Sequence, residues 1–262
     1  MQDKIDFPEK GGYGRGELLR VQARLFEMAV TVKEILEQSH IPYMIAYGTL
    51  LGAVRHKDFI PWDDDFDFNL FDNSYDEAIE VLRNNLPRGM FLEDAKSEPR
   101  YFHGWAHVKD LHSVASCGKW GHDNAYAHKG LHIDLYRIKK MKGRDVKAYL
   151  DAENIAYLER RRCNGLILDE EYERRVSAIS SESPVPQYLN DVDGYAMINI
   201  YKCKFIPDRI VDPLSTCRFR GCEFSCPASP DEMLSFIYGD YLRLPPYERR
   251  LPSLDKVEFK GV

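Results

Sequence analysis

The chain has 262 residues, enough for one large domain or one domain with an appended helical part. Its 44% apolar content fills an ordinary core, and a net charge of −6 leaves no basic face for nucleic acid. The N-terminus lacks the apolar core of a signal peptide, and no run of about 18 apolar residues is present to span a bilayer. Six cysteines without a CxxC pair read as reduced thiols, so a cytoplasmic protein is expected.

Residues 1–16 are polar and glycine-rich and read as a flexible N-terminus. Apolar residues at 18, 21, 25, 28, 32, 35 and 36 follow a helical period, which His40-Ile41-Pro42 ends. Tyr43–Tyr47 reads as a short buried strand, Thr49–Arg55 as a helical turn and Asp65–Phe71 as a second strand. A helix from about Ser74 to Asn85 follows, capped by Asp72, Asn73 or Ser74. Residues 101–116 hold one or two strands, and His132–Ile138 is a clearer one. Past Gly143 the chain turns charged and amphipathic, predicting helices over Lys147–Arg162 and Asp169–Ser180. Ser181–Pro186 is a loop, Cys217–Phe224 a hairpin strand, and Pro230–Tyr238 a last helix with Ser229 as its cap. The expected fold class is α+β: a mixed sheet flanked by helices over about 17–140, then a helical C-terminal part over about 143–262. No linker separates the two, so 17–262 is one domain.

The most informative segment is Pro61-Trp62-Asp63-Asp64-Asp65-Phe66-Asp67-Phe68-Asn69-Leu70. Alternate residues of a strand share a face, so Phe66, Phe68 and Leu70 point into a core while Asp65 and Asp67 point away from it. Their Cα atoms then stand about 6.5–7 Å apart, close enough for both carboxylates to ligate one metal. Asp63 joins them if the extended backbone starts early, and Asp64 points away. Acids on one face repel each other, and burial raises the cost; a hard cation such as Mg²⁺ or Mn²⁺ removes both penalties.

Just before them, Tyr47-Gly48-Thr49-Leu50-Leu51-Gly52 places a small pair after a strand and opens a helical turn. Such a turn lets backbone N–H groups approach a phosphate, and Arg55, His56 and Lys57 add cations. Asp134, between Ile133 and Leu135, is a third acid in a strand-like run, either a metal ligand or a general base. Six of the eight histidines lie between 103 and 132, yet no HExxH pattern or cysteine pair supports zinc there. Glycines 11, 12, 14 and 16 follow no strand and are not expected to hold a nucleotide.

At Gly48-Thr49-Leu50-Leu51-Gly52-Ala53-Val54-Arg55-His56, Phe59-Ile60-Pro61-Trp62-Asp63-Asp64-Asp65 and Ile133-Asp134-Leu135, the sequence resembles the LicD family, a branch of the nucleotidyltransferase superfamily related to fukutin-type proteins. Phe219–Phe224 and Tyr238–Pro246 resemble its closing motifs, so the likeness runs from about 18 to 250. The resemblance implies a nucleotidyltransferase-like mixed sheet and transfer of a phosphate-linked group, foremost phosphocholine from CDP-choline, to a glycan hydroxyl. In that scheme Asp65, Asp67 and Asp134 are catalytic, and with Asp63 they hold Mg²⁺ or Mn²⁺. Gly48, Thr49, Arg55 and, by family position, Lys109 bind the donor. A lipid-linked acceptor would bring the protein to the inner face of the membrane. Trp105, Trp120, Tyr101 and Tyr126 are candidates for a cage around a quaternary ammonium. The family commonly reads Ile-Asp-Ile-Phe-Pro, whereas this chain continues Asp134-Leu135-Tyr136-Arg137 without proline.

Other readings of the same acids are nucleotidyl transfer proper and a DxD-type glycosyltransferase. A non-catalytic, metal-dependent glycan-binding protein is the reading outside enzymology.

Overall fold

The structure is a computed structural model that describes residues 5–8, 13–117, 126–179, 184–199 and 202–260. Gly11, Gly12, Trp120, His122 and the start of the 181–186 loop lie outside the described residues.

Helix α1 (Arg15–Gln38) buries Leu18, Val21, Leu25, Met28, Val32 and Leu36, the stripe its sequence period dictates. His40 adopts φ 56°, and Ile41 N–H reaches back to Leu36 C=O at 2.9 Å while His40 N–H meets Glu37 C=O at 3.0 Å. This pair of bonds satisfies the last carbonyls, and Pro42 prevents any continuation. After α1 come β1 (Tyr43–Ile45), α2 (Tyr47–Arg55) and β2 (Asp67–Phe71). Strand β2 starts two residues later than predicted, because a turn closed by Asp63 N–H to Ile60 C=O (2.9 Å) occupies the preceding stretch.

Next are α3 (Tyr75–Asn85), β3 (Met90–Glu93), β4 (Ala106–Asp110), β5 (Ser113–Ser116) and β6 (His132–Lys142). The sequence reading missed β3. It also ended β6 at Ile138, but nothing like the family's proline interrupts the strand, which runs four residues further. Helices α4 (Val146–Cys163) and α5 (Asp169–Ser177) stand where the charged stretches predict them. The chain closes with β7 (Asp193–Asn199), β8 (Lys202–Pro207), the single turn α6 (Asp208–Val211), β9 (Ser215–Phe219), β10 (Cys222–Cys226), α7 (Pro230–Tyr238) and β11 (Lys256–Phe259). The C-terminal part is therefore less helical than expected, since two of its strands enter the main sheet.

Among the described residues seven strands form that sheet, ordered β1-β2-β6-β4-β3, with β7 pairing the far half of β6 and β8 pairing β7. Strands β2 and β6 run parallel, and the other pairs are antiparallel. The fold class is α+β with a mixed sheet.

One face of β2 carries Phe66, Phe68 and Leu70 into the core, as the alternation requires. Phe66 meets Phe59, Phe219 and Phe224 with ring centroids 6.0, 5.3 and 5.6 Å away. The last two come from the β9–β10 hairpin, whose two-residue turn has positive φ at both Arg220 (49°) and Gly221 (83°), matching the twist of the paired strands. The opposite face of β2 is left to the acids.

Candidate active site

The parallel register pairs Asp67 of β2 with Asp134 of β6. Neighbouring strands lie about 4.7–4.9 Å apart, so the two carboxylates emerge side by side. The antiparallel register then pairs Asp134 with His107 of β4, and His132 with Lys109. Three adjacent strands thus carry Asp67, Asp134 and His107 in one row across the sheet.

On the β2 side the row is all carboxylate. Asp63 and Asp65 precede the strand, and each acts on the other's charge. Burial, then the charges of Asp65 and Asp64, push Asp63 well above the usual carboxylate range. Burial, then Asp64 and Asp134, push Asp65 up to about 7. Asp67 is raised in the same direction by burial and by Asp65, Asp134 and Asp63. Arg55 acts on Asp63 in the opposite sense and does not reverse the shift. This donor set, oxygen only and short of positive charge, fits a hard divalent ion.

Asp134 differs. Burial again opposes ionisation, but hydrogen bonds from His107 and Trp105 and the charge of His132 hold it below the usual carboxylate range. Trp105 Nε1–H donates to Asp134 Oδ1 at 2.6 Å, and His107 Nε2 stands 3.1 Å from the same oxygen. His132 Nε2 lies 3.7 Å from Oδ2. Behind His107, Glu93 on β3 approaches Nδ1 at 3.5 Å and Lys109 Nζ at 3.6 Å. These groups open onto a cleft of about 230 Å³ that also involves Asp65, His128, Lys129 and Tyr136.

The glycine turn also supports the acids. A Cβ on Gly48 would meet Asp63 Oδ2 at 2.7 Å, so glycine is needed here for the carboxylate to lie against the first turn of α2. Thr49 is buried, and its Oγ1 accepts the N–H of Asp67 at 2.9 Å, anchoring the start of β2. Tyr47, the first residue of α2, has φ 43°, a conformation rarely adopted by bulky residues, and packs edge-on against Tyr136. Asp64 also lines the cleft, and its carboxylate accepts Ser253 N–H at 3.0 Å and Leu254 N–H at 2.8 Å. Those bonds tie the approach to β11 beside the cleft.

Arg55 and Lys109 do not share a cavity. Lys109 lines the cleft beside Asp134, whereas Arg55 lines a second groove with Trp62, Tyr238, Arg243, Arg249 and Arg250. Arg55 donates to Tyr241 C=O at 2.6 Å. Among its described members the predicted aromatic cage is not assembled. Tyr101 and Tyr126 stack at 5.3 Å inside a minor core with Phe102 and Tyr157, where the apolar rings gain most from burial. Of the described members of that set, Trp105 reaches the cleft, where its ring lies 4.8 Å from that of Tyr136.

The sequence reading missed Glu93, His107 and His132 as neighbours of Asp134. The His132-x-Asp134 spacing was a usable signal, since strand alternation puts both on one face. The pairing that brings His107 and Glu93 alongside is long-range and leaves no local trace.

A mixed sheet with acids on neighbouring strands, behind a Gly-Thr helical turn, defines a nucleotidyltransferase-type enzyme. Residues 40–161 match the family model described as LicD/FKTN/FKRP, nucleotidyltransferase domain. That match makes residues 40–161 similar to the LicD-type domain, and the similar proteins with an activity in their names are phosphotransferases. It is 23% identical over 246 residues to the lipopolysaccharide cholinephosphotransferase LicD of Haemophilus influenzae, covering 83% of this chain and 88% of that protein. A shorter stretch of 47 residues is 45% identical to the human and mouse ribitol 5-phosphate transferase FKRP, covering 18% of this chain and 10% of theirs. An uncharacterised protein of Rickettsia prowazekii is 46% identical over 58 residues, or 22% of each chain. No helix among the described residues is long and apolar enough to cross a membrane.

Proposed function

We propose that this enzyme transfers a phosphate-linked group from a CDP-activated donor, foremost phosphocholine from CDP-choline, to a hydroxyl of a glycan, releasing a nucleoside monophosphate. The carrying observation is the acid row: Asp63, Asp65 and Asp67 gathered without enough positive charge, next to Asp134 in strand register. The match to the cholinephosphotransferase along most of both chains supports the donor.

Asp65, Asp67 and Asp134, joined by Asp63, would hold Mg²⁺ or Mn²⁺. When bound, such an ion neutralises the donor pyrophosphate and stabilises both attacking and leaving oxygens of an in-line displacement. Gly48 lets Asp63 close on the first turn of α2, and Thr49 fixes the entry of β2, so both act on the donor site through the acids. Lys109 faces the donor phosphates from the cleft, and Arg55 offsets charge from the opposite side. Asp134, held ionised by His107 and Trp105, suits ligation better than proton abstraction. The cleft takes the acceptor sugar, and a lipid-linked acceptor would place the enzyme against the inner face of the membrane.

The short match to a ribitol 5-phosphate transferase favours a second donor, a CDP-linked polyol, at the same acids. Incubating the enzyme with CDP-choline and CDP-ribitol, Mg²⁺ or Mn²⁺ and candidate glycans tests both. CMP release with a phosphorylated glycan product is expected. Pyrophosphate release would instead assign nucleotidyl transfer, and metal-dependent glycan binding without turnover would assign a binding protein.

A further inference from the structure

We propose that His107, His132 and Asp134 form a second metal site, for a transition ion of the Zn²⁺ class, beside the all-carboxylate one. One donor atom from each of the three lies within 4.8 Å of the others. The site lies in the same cleft and shares Asp134 with the acid row, but it does not depend on the transfer reaction.

Three observations carry it. The first is spacing. Ligands at about 2.0–2.2 Å around a tetrahedral ion stand about 3.3–3.5 Å from one another. His107 Nε2 stands 3.1 Å from Asp134 Oδ1 and His132 Nε2 3.7 Å from Oδ2, so side-chain rotations that bring one carboxylate oxygen between the two imidazoles admit an ion. Strand geometry fixes them there: His132 and Asp134 are two apart on β6, and His107 is opposite Asp134 on β4.

The second is the proton pattern on His107. Tyr101 O–H donates to Trp105 C=O at 2.6 Å, so its oxygen meets His107 Nδ1 at 3.2 Å as an acceptor. That arrangement leaves Nε2 directed at the Asp134 carboxylate, where a metal ion between the two would take its lone pair.

The third is Glu93. It is fully buried, and neither carboxylate oxygen has a hydrogen-bond partner. It stands 3.5 Å behind Nδ1 of His107, with Lys109 Nζ 3.6 Å away. A carboxylate behind a ligating imidazole fixes the ring and raises its basicity, the usual outer partner of a histidine on zinc. Two imidazoles and a carboxylate select a borderline ion over Mg²⁺, whose ligands are oxygens. Three protein ligands leave a position open to the cleft for an oxygen of substrate or water.

The test uses the full chain, stripped with chelator and reloaded with Co²⁺, whose visible bands are intense in a four- or five-coordinate site and weak in an octahedral one. One tightly held equivalent with intense bands is expected, displaced by Zn²⁺. Asp67→Asn should keep the bands while losing transfer, so failure of the transfer reading stays separable from failure of this one. His132→Gln, at a position 29% exposed and tolerant of change, should abolish them, and His107→Gln likewise. Glu93→Gln should weaken Co²⁺ binding about 10–100-fold, the range seen when outer partners are removed. Weak octahedral bands in the wild type, or bands that survive His132→Gln, would overturn the proposal.

Discussion

The two flanks of Asp134 carry similar acids in opposite states. Toward β2, Asp63, Asp65 and Asp67 face mainly one another, and burial drives their affinity for protons up. Toward β4, the same kind of carboxylate meets an indole N–H and two imidazoles and stays ionised despite equal burial. Burial alone therefore does not set the charge of this row; the partners do. The β2 flank is left needing positive charge, which the proposed divalent ion would supply, while the β4 flank already has its own.

The comparison breaks most severely at Asp67. Asp67→Asn removes a ligand yet keeps the size of the side chain, and CMP release should fall by roughly 10²–10³-fold with the fold intact by circular dichroism. An active Asp67→Asn enzyme would sink the reading of the β2 flank. Asp64 tests the frame. Its two backbone bonds to 253 and 254 go to a charged acceptor, so Asp64→Ala should cost roughly 1.5–3 kcal/mol in urea unfolding. Activity in that variant should survive where the protein remains folded.

Gly48→Ala sharpens the contrast, because the added methyl displaces Asp63 Oδ2 rather than backbone. Stability should change by about 1 kcal/mol or less, whereas the Mg²⁺ concentration for half-maximal turnover should rise about 10-fold. The smallest effect concerns pH. Carboxylates raised in the folded state contribute stability at low pH that is lost as pH climbs through their folded values, about 7 for Asp65. The metal-free protein should lose stability between pH 5 and 8 from this source, and metal should restore it. The Mg²⁺-induced rise in Tm should be larger at pH 8 than at pH 6, by about 2–4 °C for each kcal/mol regained. An equal rise at both pH values would remove the charge argument.

Much of this was legible locally. The stripe of α1, the Phe/Asp alternation around β2 and the charged helices after 143 follow from periods of 3.6 and 2, which burial imposes residue by residue. The acids and the Gly-Thr turn were legible too, as a motif. Less visible was how the parts meet. Thr49 reads as a phosphate contact until the fold shows its hydroxyl committed to Asp67 N–H. Tyr101 and Tyr126 read as a cage until they stack in a core of their own. Strands β3, β7 and β8 lack a strong alternation, and β3 and β7 are held in the main sheet by pairing with β4 and β6.

The sequence by itself determined that the acids before and within β2 would gather on the side opposite the phenylalanines, because a carboxylate beside a phenylalanine on alternating positions has few stable arrangements. Only the tertiary structure decided what each carboxylate is paired with. Register between β2, β6 and β4 is a long-range property, and it separates the cation-poor side of the row from the side where His107, Trp105 and Glu93 surround Asp134.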